Sequence, residues 1–157
     1  MTPVIDYSLI RLIPADETYR EFSYRVKKVA EGEYITLMFG WDEDVQRGYH
    51  LKAWQQQKPN IITYDGKPVG TIAATESEDC VEVGQFFILP EYQNKGIGTC
   101  PLKGILDRAD QSGKNVRLKS LRNNPVKALY VRNGFRIVDT DEILYYMERT
   151  VTGGSPL

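Results

Sequence analysis
Gln93, Lys95, Gly96 and Gly98 are the residues whose types and spacing point most directly to chemistry. They stand in the run Phe86-Phe87-Ile88-Leu89-Pro90-Glu91-Tyr92-Gln93-Asn94-Lys95-Gly96-Ile97-Gly98-Thr99, where a β-rich stretch meets a turn and then a helical pattern. Glycine has no Cβ, so its backbone N–H can come close to an anion, and a helix N-terminus adds positive potential. Lys95 supplies a full charge beside them, and a diphosphate is the ligand such a cradle fits. The glycine spacing is not that of a dinucleotide-binding fingerprint, and no Gly-Lys-Ser/Thr follows, so neither common nucleotide loop is present. Metal chemistry finds little support, because Cys80, Cys100 and the single His50 hardly complete a ligand set. The two cysteines are expected to be reduced and structural.

Such a turn needs a strand before it and a helix after it. Alternation over residues 7–13 predicts a strand, and Pro14 with Asp16 marks a turn capping a helix over 17–30, with Phe22, Val26, Val29 and Ala30 on one face and Gly32 as its stop. A second helix over 42–57, ended by Pro59, would bury Val45, Tyr49, Ala53 and Trp54. Strands over 61–64 and 69–75 flank Asp65-Gly66-Lys67-Pro68, a hairpin signal, and a third strand over 80–89 extends the meander. Beyond the glycine turn come a helix to about residue 111, a strand over 116–121, a helix over 125–132, and strands over 135–138 and 143–148. Hairpins followed by a strand-helix-strand crossover imply a mixed sheet with helices on its faces.

A length of 157 residues, 41% hydrophobic and 26% charged, fits one domain over 1–151 with a frayed polar tail over 152–157. The formal net charge of −1 excludes a globally basic nucleic-acid binder and a disordered acidic chain. No apolar stretch approaches the roughly 18 residues of a membrane span, and residues 1–12 lack the pattern of an export signal, so a soluble cytoplasmic protein without membrane partners is expected. Local charge is uneven. Between Gln93 and Arg136 ten Lys or Arg face only Asp107 and Asp110, whereas residues 1–92 hold fifteen acids against nine bases. The basic half suits a phosphorylated ligand, and the acidic half suits a cationic amine.

Gln93-x-x-Gly96-x-Gly98, placed after Ile88-Leu89-Pro90, resembles the pyrophosphate-binding motif of the GNAT superfamily of acyl-CoA-dependent N-acetyltransferases. The later run Asn123-Asn124-Pro125-Val126-Lys127-Ala128-Leu129-Tyr130-Val131-Arg132-Asn133-Gly134-Phe135 is similar to that superfamily's Asn to Leu-Tyr-x-x-x-Gly-Phe signature. The resemblance covers about residues 5–149, most strongly 81–135. It implies an α/β (α+β) fold: a mixed, mostly antiparallel central sheet of six to seven strands flanked by about four helices, with a V-shaped opening between the two central parallel strands. It also implies acetyl-CoA as acyl donor, no metal, and a homodimer.

Carried over by position, the resemblance implies that the backbone of Ile88 and Leu89 pairs with pantetheine like an added strand. Gln93, Asn94, Lys95, Gly96, Ile97, Gly98 and Thr99 would hold the diphosphate. Asn123, seven residues before Tyr130, matches the Asn that touches the pantetheine arm, with Asn124 as the alternative. Tyr130 is the general-acid candidate, its phenol beside the departing thiolate. Glu82, eleven residues before Gln93, is the base candidate; strand alternation would set it on an apolar face with Gly84, Phe86 and Ile88, where desolvation raises a carboxyl's pKa. Cys100-Pro101 departs from the two aliphatic residues many relatives carry there. The aromatic residues Tyr34, Phe39, Trp41, Tyr49 and Trp54 either line an acceptor pocket or form core, and His50 is structural or solvent-facing. The implied activity is transfer of an acetyl group from acetyl-CoA to a primary amine by direct attack in a ternary complex. A non-catalytic acyl-CoA binding or sensing domain is the alternative, and the identity of the amine acceptor is not encoded in any motif.

Overall fold
The computed structural model describes residues 4–152. Its elements are β1 (Ile10–Pro14), α1 (Arg20–Phe39), α2 (Glu43–Gln56), β2 (Asn60–Tyr64), β3 (Lys67–Glu76), β4 (Cys80–Ile88), α3 (Thr99–Gln111), β5 (Asn115–Leu121), α4 (Lys127–Arg132), β6 (Arg136–Thr140) and β7 (Leu144–Arg149). The strands form one seven-stranded sheet in the order β1-β2-β3-β4-β5-β7-β6. Pairings β1–β2, β2–β3, β5–β7 and β6–β7 are antiparallel, and β4–β5 is parallel. This is the mixed, mostly antiparallel sheet with helices that the sequence implied. Among the described residues two compact units pack separately: one runs through Ala73 and takes in Gln85–Pro101, and the other comprises Ala74–Gly84 and the chain from Leu102 on.

In the first unit the hairpin forms as its sequence dictates. Asp65 (φ +50) and Gly66 (φ +79) occupy the left-handed region that a two-residue turn between Tyr64 and Lys67 demands. Residues 7–9 form a short 3-10 turn rather than the expected strand, because the Asp6 carboxylate accepts from the Ser8 N–H and closes it; β1 starts at Ile10. Helix α1 does not stop at Gly32. That residue is buried, a side chain there would lie 3.5 Å from the Trp41 ring, and the helix runs on to end at Gly40, whose φ is +77. Asp42 caps α2 by accepting from Val45 N–H at 3.0 Å. The buried face of α2 is Gln46, His50 and Trp54, while Val45 and Tyr49 are exposed, a correction to the apolar stripe. The face is set by partners rather than by hydrophobicity. His50 Nε2 lies 3.0 Å from Ser23 Oγ, the Tyr24 ring stands edge-on to the imidazole, and Trp54 Nε1 donates to Glu17 at 3.0 Å.

In the second unit α3 buries Leu102, Ile105, Leu106 and Ala109, and β5 buries Val116, Leu118 and Ser120 in strict alternation. The end of the sheet is tied to the end of α3. Both Arg149 guanidinium nitrogens donate to the two Asp110 oxygens at 2.9 Å, and Thr152 adds its N–H at 2.8 Å and its hydroxyl at 2.9 Å. Thr152 is therefore pinned rather than frayed; the rest of the expected tail lies outside the described residues.

The Arg149 guanidinium beside Asp110 holds its carboxyl well below the usual carboxylate range, with the Thr152 hydrogen bonds adding to the effect. A carboxyl more acidic in the folded than in the unfolded chain contributes its full stability above its unfolded value, near about 4, and loses it as pH falls toward the folded value. Asp110→Ala should lower unfolding free energy by about 2 kcal/mol at neutral pH in urea titrations. The deficit relative to the parent protein should shrink as the titrations are repeated below about pH 4.

Candidate active site
The first part of β4 alternates cleanly, with Val81 and Val83 buried and Glu82 and Gly84 exposed. The alternation breaks at Gln85, a non-glycine residue at φ +46. That conformation costs on the order of 1 kcal/mol and is held by two bonds: Gln85 Nε2 donates to Gln57 O at 2.8 Å, and Gln85 O accepts from Thr71 Oγ1 at 2.6 Å. Just beyond it the backbones of β3 and β4 come together. A Cβ on Gly70 would lie 2.4 Å from Phe87 O, so only glycine fits there. Leu89 N–H then donates to Val69 O at 2.9 Å. Successive residues of a strand direct their backbone groups to opposite neighbours, so Phe87 and Leu89 face β3 and Ile88 turns its N–H and C=O the other way.

The turn after β4 is built by local bonds. Tyr92 N–H donates to Leu89 O at 2.8 Å, Gln93 N–H to Pro90 O at 3.2 Å, and the Gln93 side-chain amide to Ile88 O at 2.8 Å. Asn94 (φ +61) and Gly96 (φ +81) then reverse the chain. A side chain at Gly96 would meet the Tyr7 hydroxyl at 2.8 Å, and that hydroxyl donates to Lys95 O at 3.0 Å. Ile97 is fully buried and anchors the turn. Gly98 sits under the strand: a Cβ there would lie 3.1 Å from the Phe86 ring and 3.2 Å from Ile88 Cγ1. Among the described residues, the N–H groups of Gly96, Ile97 and Gly98 donate no hydrogen bond. They precede the N-terminus of α3, which starts at Thr99. Three unpaired donors, a helix N-terminus and the exposed Lys95 form an arrangement that can accept an anion, and a side chain at either glycine would collide with what packs behind the turn, Tyr7 at 96 and Phe86 with Ile88 at 98. Pro101 is the third residue of α3, where no intrahelical donor is lost, so the departure from two aliphatic residues leaves the turn intact. Cys100 is exposed and Cys80 buried, both free thiols.

The second unit holds the other candidates. Tyr130 is buried in the last turn of α4, edge-on to Phe135 at 5.8 Å, and its backbone carbonyl accepts from Asn133 and Phe135. Asn124 Oδ1 accepts from Val126 N–H at 2.9 Å and caps the turn into α4, whereas Asn123 is exposed. Glu82 is exposed, so the apolar surroundings expected from strand alternation are not there. Its neighbour across the parallel ladder is Arg117, which pairs in turn with Glu148 at 2.8 Å, giving a row of alternating charges across β4, β5 and β7.

Two residues escaped the sequence reading. Tyr7, remote in sequence, braces the glycine turn, and Gln85 redirects β4; a left-handed glutamine leaves no signature in sequence. A third feature is a cavity of about 190 Å3 in the first unit, lined by Ser23, Lys27, His50, Ala53, Gln85 and Phe87. None of the five aromatic residues singled out above lines it. His50 is buried, and burial with the nearby Lys27 charge holds its imidazole below the ordinary histidine range.

Among the described residues no group of His, Cys, Asp and Glu is placed to hold a metal ion, and no helix is long and apolar enough to cross a membrane. The model of the acetyltransferase (GNAT) family matches residues 23–135. The fold is similar to that of the paia N-acetyltransferase of Thermoplasma acidophilum in complex with coenzyme A, at 19% identity and a TM-score of 0.69, covering 90% of this chain and 98% of that one. It is also similar to an acetyltransferase from Thermus thermophilus, at 19% identity and a TM-score of 0.69 over 90% of this chain and 96% of that one. The ribosomal-protein-S18-alanine N-acetyltransferase of Escherichia coli gives 18% identity and a TM-score of 0.66 over 94% and 98%. No curated protein matches the chain.

Because Gly98 has Phe86 and Ile88 against it, Gly98→Val should push β4 from the turn and lower stability by about 1–3 kcal/mol in urea unfolding. Gly84→Ala, on the same strand but facing open space, serves as the control and should change stability far less.

Proposed function
The chain belongs to the acetyltransferase (GNAT) family and is an acyltransferase that takes its acetyl group from acetyl-CoA, and on that premise we propose how its own residues act. The observation that carries the reading is the set of undonated N–H groups at Gly96, Ile97 and Gly98, ahead of α3 and beside Lys95. These groups, with Gln93, Asn94 and Thr99 shaping the turn, hold the diphosphate. Acetyl-CoA supplies, when bound, an activated thioester carbonyl. Ile88 turns its backbone to the side away from β3, where the pantetheine arm lies; its C=O already accepts from the Gln93 side-chain amide at 2.8 Å, so the N–H is the group it offers, and that N–H polarises the carbonyl oxygen. Leu89 spends its own N–H on Val69, so it contributes shape rather than a donor. Asn123, seven residues before Tyr130, contacts the pantetheine arm.

The acceptor is a primary amine that attacks directly in a ternary complex. An ammonium has no lone pair, so one proton must leave first, and Glu82 takes it through water, a route its exposure allows. As the nitrogen–carbon bond forms and the carbon–sulfur bond breaks, the Tyr130 hydroxyl gives its proton to the departing thiolate and is reprotonated through water by the proton that the acylated nitrogen sheds. Residues 1–151 act as one acetyltransferase domain, a reading supported by a family match that spans both compact units. A homodimer in the cytoplasm is its setting, where two free thiols stay reduced.

Tyr130→Phe should reduce turnover by about 10²-fold while leaving acetyl-CoA affinity within about twofold. Unchanged turnover would remove Tyr130 from the mechanism. Glu82→Gln should slow the reaction at neutral pH and approach the parent rate on the alkaline side, where the amine is already deprotonated; an unaltered pH profile would leave Glu82 only its place in the charged row with Arg117. Release of coenzyme A in the presence of amines, read with a thiol reagent, decides between transfer and a sensing domain that binds acyl-CoA without turning it over.

A further inference from the structure
The cavity between α1, α2 and β4 carries a cation without an anion. Lys27, on the inward side of α1, lines it together with Ser23, His50, Ala53, Gln85 and Phe87. Among the described residues the Lys27 ammonium makes no ion pair within 4.0 Å. The carboxylate that influences it is Glu31, one helical turn on, and burial pushes that carboxyl up, toward its neutral form, against the attraction of Lys27. Burial likewise draws the Lys27 ammonium below the ordinary lysine range, with Glu31 opposing. His50 is held neutral by its burial and by the same ammonium, and its Nε2 is engaged with Ser23 Oγ at 3.0 Å. The acids that face His50 and Lys27 from outside the cavity are Glu21, paired with Arg47 at 2.9 Å, and Glu31 itself. The lining is therefore one positive charge, two polar side chains bonded to one another, an amide, and the apolar surface of Ala53 and Phe87.

Resting on the acetyl-transfer reading above, we propose that this cavity is the acceptor site and that the acceptor is a small amine bearing a carboxylate, of the free amino acid class, whose carboxylate pairs with Lys27. A desolvated ammonium regains by such pairing the charge stabilisation that burial removed, and a ligand ammonium placed there would be repelled. Ser23 Oγ from α1 and the imidazole of His50 from α2 lie beside the carboxylate. Phe87 and Ala53 take an apolar side chain. The cavity ends on β4 at Gln85 and Phe87, and Phe87 directly precedes Ile88, the residue whose N–H is proposed above to polarise the acetyl carbonyl. A cavity of about 190 Å3 has room for one residue-sized group. The local charge thus runs opposite to the acidic character of the front half of the chain.

The test is steady-state acetylation of a panel of apolar L-amino acids, their matched primary amides, and short peptides with free and amidated C-termini, with acetyl-CoA affinity measured separately by calorimetry. The free amino acids should give KM values lower than their amides by roughly tenfold, the worth of one charge-assisted contact. Lys27→Met should abolish that preference by raising KM for the acids, Lys27→Arg should keep most of it, and acetyl-CoA affinity should be the same in all three proteins. Equal use of acids and amides, better use of peptides than of free amino acids, or acetylation of no amino acid despite firm acetyl-CoA binding would each overturn the proposal and leave the acetyl-transfer reading standing. Failure of acetyl-CoA to bind at all would overturn both, and the calorimetry separates the two cases.

Discussion
A side chain at position 98 would run into the Phe86 ring and Ile88, and a side chain at 96 into the Tyr7 hydroxyl. Gly98 thus lets the residue before α3 lie against the Phe86 and Ile88 side chains of β4, Gly96 makes room for Tyr7, and Ile97 is driven into the core between them. The consequence is electrostatic. Consecutive N–H groups that would elsewhere be paired are left pointing outward at the positive end of a helix, with Lys95 beside them. An unpaired backbone donor is a cost in a folded chain, and on the proposed reading an anion offsets it by completing the turn.

The strand that leads into the turn is constrained for the same reason. Gly70 admits the Phe87 carbonyl at a distance no side chain would allow, and Gln85 is held left-handed by Thr71 and the backbone of Gln57. Between them they fix which backbone groups of β4 face β3 and leave those of Ile88 to face the other way. Three elements of the first unit thus serve one purpose. β3 supplies a glycine, α2 supplies the carbonyl just past its end, and the 3-10 turn near the start of the chain supplies a tyrosine hydroxyl.

Much of this was legible in the sequence, because the glycine turn, the Asp65-Gly66 hairpin and the helix ahead of Gly134 rest on local chemistry: φ above zero, missing Cβ atoms, and apolar spacing. The misreadings share a cause. Val45 and Tyr49 looked like the inner face of α2, but His50 is inside because Ser23 and Tyr24 offer it partners, and partners from another helix leave no periodic mark. Gly32 looked like a stop, yet it is a buried residue inside α1, without the positive φ that ends the helix at Gly40. Glu82 was given an apolar setting by alternation, and alternation breaks at Gln85 while Arg117 stands opposite. The cavity around Lys27 was out of reach for the same reason, since its lining comes from two helices and a strand that no linear spacing connects.

The central claim is that the Gly96–Gly98 turn holds the diphosphate of acetyl-CoA, and calorimetric titration of the protein with acetyl-CoA, alongside Gly96→Asp, tests it most directly. The account predicts saturable one-to-one binding by the parent protein, abolished when a side chain at 96 displaces Tyr7 and adds a negative charge to the turn, with the substituted protein still unfolding cooperatively. Equal binding by both proteins, or none by the parent, would contradict it and make the turn a purely structural one.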